Sequence, residues 1–335
     1  MFWKDIPELT YELNKVRSLI KKSVNVKSNR LTLPVMDFIN RDAKMLRPGL
    51  LILSARIFLP EDKLPESVYR YAASIELLHM ASLVHDDIID NAEFRRGLVS
   101  INHGYGVKDA ILVGDLLFCA AAELIYDSTS DSDASVILHG LKHLITAESE
   151  ELDDAELFRK GQLLGLFGRR KYIRRVIRKT ATLFVAAMHI GAREVCKDEF
   201  MQQTMRRIGY DIGVSFQMMD DILDIISKKE LMGKSSLSDL REGVVGYPFV
   251  LAVNSGNKKD EDKAISLFRK ALSGGLFSSA HRRALVDMLV PYCDLARNEV
   301  LSILNRAKKH FVFLPKNKWT VVLLDTIDSL ANRLN

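Results

Sequence analysis

Apolar residues recur at helical spacing along almost the whole 335-residue chain, and stretches that alternate in the manner of a strand are scarce. A chain with that pattern buries its apolar stripes by packing helix against helix, so the expected class is all-α. Eight prolines and clusters of Gly, Ser and Asn mark the joints. Pro34 is expected to open a helix running through Phe38 and Ile39. Residues 127–133 read as an exposed turn that caps the next helix, and 254–262 and 273–275 as further joints. No second domain, low-complexity tail or short repeat interrupts the pattern, so residues 1–335 read as one domain. With 47% hydrophobic residues the chain can fill a large core. Its most apolar stretch, 111–122, is too short for a bilayer and contains Asp115, so no transmembrane segment is expected. The first residues lack the layout of a signal peptide, which makes a cytoplasmic location the default expectation.

Carboxylates gather at two places on this helical background. The first is Ser82-Leu83-Val84-His85-Asp86-Asp87-Ile88-Ile89-Asp90, at the end of a run rich in Leu, Met and Ala. On a helix Asp86 and Asp90 stand one turn apart and Asp87 three residues before Asp90, so the three carboxylates share one side. Like charges at that spacing repel, and no basic residue lies among them. The bland reading is a solvated acidic helix end. A second copy, Asp220-Asp221-Ile222-Leu223-Asp224, ends another apolar helical run and argues against that reading. Two sets of hard oxygen donors with open positions suit Mg²⁺ bound together with a substrate diphosphate.

At this point the chain resembles the trans-isoprenyl (polyprenyl) diphosphate synthases. The first motif runs on through Asn91-Ala92-Glu93-Phe94-Arg95-Arg96-Gly97, and the second through Gly233-Lys234 and Asp239-Leu240, both in the manner of that family. Lys179-Thr180-Ala181 matches its Lys-Thr-Ala motif, and the likeness extends from about Asp42 to Leu314-Pro315. The resemblance implies an isoprenoid-synthase-type helical bundle with a deep central cavity, the aspartate motifs facing each other across its mouth. It implies trans-prenyl transfer by ionisation, condensation and elimination, with three Mg²⁺ ions, an allylic diphosphate and isopentenyl diphosphate, in a homodimer.

The resemblance also assigns residues. Asp86, Asp87, Asp90, Asp220, Asp221 and Asp224 would hold the metal. Lys44, Arg47, His79 and Arg96 would bind isopentenyl diphosphate; Arg95, Lys179 and Lys234 would bind the allylic diphosphate. The forked donors of arginine suit diphosphate oxygens. Thr180 and Gln217 would steady the carbocation with oxygen dipoles. Ala81 and Ser82, five and four residues before Asp86, are small where an aromatic residue would floor the tunnel, which implies a product longer than farnesyl diphosphate. The chain departs from the family pattern at Asp42 and Ala43, where two glycines are usual, at Met45, and at Val244, where a lysine is common.

Each assignment has a plainer counterpart: surface cations for Lys44 and Arg47, a core histidine for His79, close helix packing for Ala81 and Ser82. His85 reads as positioning its helix rather than binding metal. The basic run from Arg169 to Lys179 reads mostly as a solvated helix face with only its end in the chemistry. Net charge is +5 with acids and bases mixed, and no aromatic-interleaved basic patch points to nucleic acid. Three scattered cysteines indicate neither a disulfide frame nor a zinc site.

Other readings remain beside this one. The chain could be the motif-bearing subunit of a heteromeric long-chain, heptaprenyl-type synthase, or a regulatory partner, a reading that Val244 and the Asp42-Ala43 loop favour. A class I terpene cyclase also carries an aspartate-rich motif, but it has no use for Lys44, Arg47 and Arg96. A His-Asp metallophosphohydrolase built on His85-Asp86 would leave Asp220 to Asp224 unexplained.

Overall fold

The structure, a computed structural model, describes residues 3–41, 44–95, 97–126, 131–160, 167–230, 245–272 and 278–332. It is all-α, as the periodicity predicts. The helices are α1 Pro7–Ser23, α2 Asn29–Asn40, α3 Leu46–Phe58, α4 Glu66–Ile89, α5 Ile101–Gly104, α6 Val107–Tyr126 and α7 Asp131–Arg159. There follow α8 Arg169–Val176, a π turn Ile177–Ala181, α9 Thr182–Arg193, α10 Glu199–Glu230, α11 Tyr247–Val253, α12 Lys258–Leu272, α13 Ser279–Lys309 and α14 Lys318–Asn332. Among the described residues the strands are β1 Phe94–Arg95 and β2 Leu98–Val99, an antiparallel pair with Phe94 opposite Val99. No alternating run announces this hairpin. No helix among the described residues is long and apolar enough to cross a membrane.

Local chemistry sets the helix starts. Ser28 caps α2 by accepting from the Leu31 amide, so the helix begins at Asn29 and Pro34 lies inside it. The expectation that Pro34 opens this helix is therefore corrected: the serine cap decides the start, and the proline forfeits one interior bond. Pro48 instead falls in the first turn of α3, where an amide would go unused anyway. The residue before α3, Met45, takes a left-handed conformation (φ 51°).

The chain divides into two compact units, neither continuous in sequence. The first comprises Met1–Leu141, Leu183–Gly209 and Phe313–Leu323. Its centre is α3, buried on all sides from Leu46 to Ala55, and α4, buried over most of its length. Such helices are apolar all round because neighbours cover every face. Ser54 donates to the Met188 carbonyl (2.6 Å), tying α3 to α9. Trp3 is 1% exposed, donates from its indole to the Met45 carbonyl (3.1 Å) and lies over Gly49, where a Cβ would strike the ring. Buried Glu12 on α1 gathers Arg56, Lys15 and the Tyr69 hydroxyl, the last at 2.6 Å. A buried carboxylate survives when it is paired in this way.

The second unit comprises Lys142–Thr182, Tyr210–Val312 and Leu324–Asn335. Phe167, Phe249 and Phe268 pack ring to ring at 4.9–5.8 Å between centroids. Arg306 on α13 forks onto the buried Asp211 of α10.

Candidate active site

In the first unit the aspartate motif closes α4. Asp86 is half-buried and Asp90, the C-cap, is exposed. Asp87, a hundred degrees or so round the helix, is turned inwards and only 2% exposed. It accepts from Arg95 Nε at 2.6 Å, and its carbonyl accepts from the Asn102 side-chain amide at 3.0 Å. Burial lifts its carboxyl above the usual range, and the charges of Arg95 and Arg41 only partly offset this. Arg95 is brought back to the helix by the hairpin, whose turn includes Gly97 with φ +79°, a conformation L side chains rarely adopt. Asn91, also left-handed, ends the helix as the amides of Asp90, Asn91 and Ala92 bond back to the carbonyls of Asp86, Ile88 and Asp87. A helix C-terminus carries partial negative charge, so Asp86 and Asp90 sit where a cation is favoured.

Arg47, in the first turn of α3, is 9% exposed with its guanidinium 4.6 Å from the Phe184 ring centroid. Lys44 is exposed beside the left-handed Met45. His79 is half-buried, and its carbonyl accepts from the Ser82 hydroxyl (2.9 Å); Ala81 is fully buried and Ser82 nearly so. His85 packs on Phe118 of α6, with Nε2 3.6 Å from Asp115. Arg96 and Lys234 lie outside the described residues, as do Asp42, Ala43 and Val244.

In the second unit Lys179 and Thr180 occupy the π turn, a wide turn often found at functional positions. Thr182 donates to the Ile177 carbonyl at 2.7 Å and supports this turn. Lys179 Nζ lies 2.7 Å from Glu148 and 2.6 Å from Glu151 of α7. Three more cations of the basic run are similarly engaged: Lys171 with Asp154, Arg175 with Glu151, Arg178 with Glu150. One side of the run is thus zipped onto the acidic stretch of α7, while Arg169, Arg170 and Arg174 are exposed, as expected of a solvated face.

Thr180 donates to Gln217 Oε1 (2.7 Å), and Gln217 Nε2 donates to Asp221 Oδ1 (3.0 Å). The other oxygen of Asp221 accepts from the Tyr172 hydroxyl (2.6 Å) and the Tyr247 amide (2.8 Å). Gly246 permits that approach, since a Cβ there would lie 3.1 Å from Asp221 Cβ. Burial, the largest influence, raises the Asp221 carboxyl to about 6, against the hydrogen bonds of Tyr172, Gln217 and Tyr247 and the charge of Arg175. Asp220 and Asp224, one turn apart on α10, are half-buried. In both motifs, then, the second aspartate is anchored by its own unit. Among the described residues no three His, Cys, Asp or Glu side chains already converge as a metal cage.

The polyprenyl synthetase family model matches residues 28–274. The chain belongs to the polyprenyl synthetase family. This synthetase is 32% identical over 251 residues to heptaprenyl diphosphate synthase component 2 of Geobacillus stearothermophilus, covering 75% of each chain. It is 33% identical over 260 residues to a geranylgeranyl diphosphate synthase of Saccharolobus solfataricus, covering 75% of this chain and 74% of the relative. The solved structure of heptaprenyl diphosphate synthase from Staphylococcus aureus matches with a TM-score of 0.86 at 26% identity, over 98% of this chain and 99% of that one. The synthetase is therefore a prenyltransferase with the isoprenoid-synthase fold.

Sequence reasoning missed Tyr172, Tyr247, Glu148 and Glu151. The first stands seven residues, two helical turns, before Lys179, a spacing that could have flagged it. Tyr247 acts through its backbone amide, which no side-chain pattern announces.

Proposed function

We propose that this synthetase condenses isopentenyl diphosphate with an allylic diphosphate to give an all-trans product of twenty carbons or more. One observation carries the reading: each aspartate motif has its first and last carboxylates one turn apart, while the middle one is anchored from within its unit. The outer donors are hard carboxylate oxygens, which fit Mg²⁺. With no cage formed among the described residues, the diphosphate itself would complete the coordination. Asp86, Asp90, Asp220 and Asp224 would take the larger share, with Asp87 and Asp221 behind them. Bound Mg²⁺, three ions in this reading, would neutralise the departing diphosphate.

Lys179, Lys234 and Arg95 hold the allylic diphosphate, and Lys44, Arg47, His79 and Arg96 hold isopentenyl diphosphate. Thr180 gives its single proton to Gln217, so its oxygen lone pairs are left to face developing positive charge. The departing diphosphate takes the final proton, and apolar surroundings keep water from the cation. Product length follows from Ala81 and Ser82, whose small side chains leave room along α4. The relatives named above make products of different lengths, so their names do not fix it.

A copy of the same chain is the proposed partner. The outer side of α6 carries Ile111, Leu112 and Tyr126, all exposed (43%, 45% and 79%), an apolar strip that a second chain would cover. A heteromeric assembly is the second reading, favoured by the likeness to a protein named as component 2 and by Val244. The deciding experiment incubates the purified chain alone with labelled isopentenyl diphosphate, farnesyl diphosphate and Mg²⁺ and resolves products by length. A ladder beyond fifteen carbons supports the reading. No product from folded protein overturns solo activity and leaves the partner-dependent form.

A further inference from the structure

We infer that Tyr172 is a positioning residue for the prenyl transfer, acting through Asp221 and Gln217 on the direction of the Thr180 hydroxyl; this rests on the proposed function above. Tyr172 is 4% exposed, its ring 4.8 Å from that of Tyr247, so the phenol cannot swing away. Its hydroxyl and the Tyr247 amide share one oxygen of Asp221, and Gln217 Nε2 takes the other. Both oxygens of Asp221 accept, so the amide nitrogen of Gln217 faces the carboxylate and the amide oxygen faces Thr180. The oxygen facing Thr180 then claims the only proton that hydroxyl has. Each bond in the series dictates the sense of the next. What emerges at Thr180 is an oxygen with its lone pairs uncommitted to the relay, the polarity that a nearby carbocation requires.

Removing the phenol oxygen leaves the Tyr247 amide as the remaining donor to that oxygen of Asp221, and the amide of Gln217 is then held less firmly in one sense. Asp221, the member of the relay that bears on Mg²⁺ in the proposed function, keeps its bond from the Tyr247 amide. Tyr172→Phe should therefore lower kcat by about tenfold, while KM for both substrates and the calorimetric affinity for Mg²⁺ with inorganic diphosphate stay at wild-type values. The decisive measurement is a double-mutant cycle with Thr180→Val. In that background the hydroxyl is already gone, and Tyr172→Phe should cost nothing further in kcat. Equal losses with and without Thr180 would overturn the inference, as would weakened Mg²⁺–diphosphate binding, which would make Tyr172 a support for metal ligation. If Tyr172→Phe fails to fold, 3-fluorotyrosine at position 172 keeps the shape and changes only the donor. It should then shift kcat in the wild-type background and not beside Thr180→Val; a shift in both overturns the inference. A wild-type chain that forms no prenyl product sinks the proposed function itself. An active wild type with an additive cycle sinks only the relay.

Discussion

Arg95 reaches from the hairpin to the buried carboxylate of Asp87, Nε to Oδ1 at 2.6 Å, and so closes the end of α4 onto the segment that follows it. Removing the cation would leave a negative charge with 3% side-chain exposure without its ion-pair partner. Arg95→Ala should destabilise the folded chain by about 3 kcal/mol. Asp87→Asn, which leaves no buried charge, should cost clearly less. Thermal melts of the two variants in Mg²⁺-free buffer check the asymmetry, and equal losses would show that the pair is not what holds the hairpin.

Asp221 predicts a pH dependence of opposite sign to the usual one. Its folded value of about 6 exceeds the ordinary 3.8, so between those values the folded chain binds more protons than the unfolded. This group therefore adds stability at low pH and loses it as pH rises through about 6. Asp221→Asn should remove that slope and melt no lower than wild type at neutral pH without Mg²⁺. Flipping Gln217 would let its oxygen accept from the new amide and its nitrogen face Thr180, so each bond keeps a partner. The same flip reverses the polarity at Thr180, and product formation should fall by about a hundredfold or more.

Glu12 behaves in the ordinary sense. Burial pushes its carboxyl up, but hydrogen bonds from Tyr69, Lys15 and Arg56 outweigh this and hold it below the ordinary 4.5. Its contribution is present above pH 4.5 and is lost as pH falls through the lower folded value. Glu12→Gln should cost about 1–3 kcal/mol at neutral pH and much less in acid. Denaturant titrations at two pH values test this.

Ser82 bears on product length. Ser82→Phe adds an aromatic ring one turn before Asp86, on the helix along which the growing chain is proposed to run. The product ladder should shorten while substrate consumption continues. An unchanged ladder from a folded variant would place the floor of the tunnel on another element.

The helices were legible because period and caps leave a trace in composition, and the two aspartate motifs because they repeat. The start of α2 was misplaced because Pro34 is a louder signal than Ser28, although the serine cap decides it. The pairing of Lys171, Arg175, Arg178 and Lys179 was not legible because their counter-charges, Glu148 to Asp154, lie on a different helix. Spacing on one helix says that Asp87 and Asp221 stand near their fellows. It does not say that Arg95 or Tyr172 holds them, since those partners arrive by tertiary packing.

The chain has two tryptophans, and one of them lies on the backbone between Lys44 and Arg47. Trp3, fastened to the Met45 carbonyl and laid over Gly49, is a fluorophore placed beside two cations proposed for isopentenyl diphosphate. Trp319, bonded to the Pro60 carbonyl, can be silenced by Trp319→Phe, leaving a single emitter. Occupancy of that substrate site would then be readable as light from the native chain, without a label and before any bond is made.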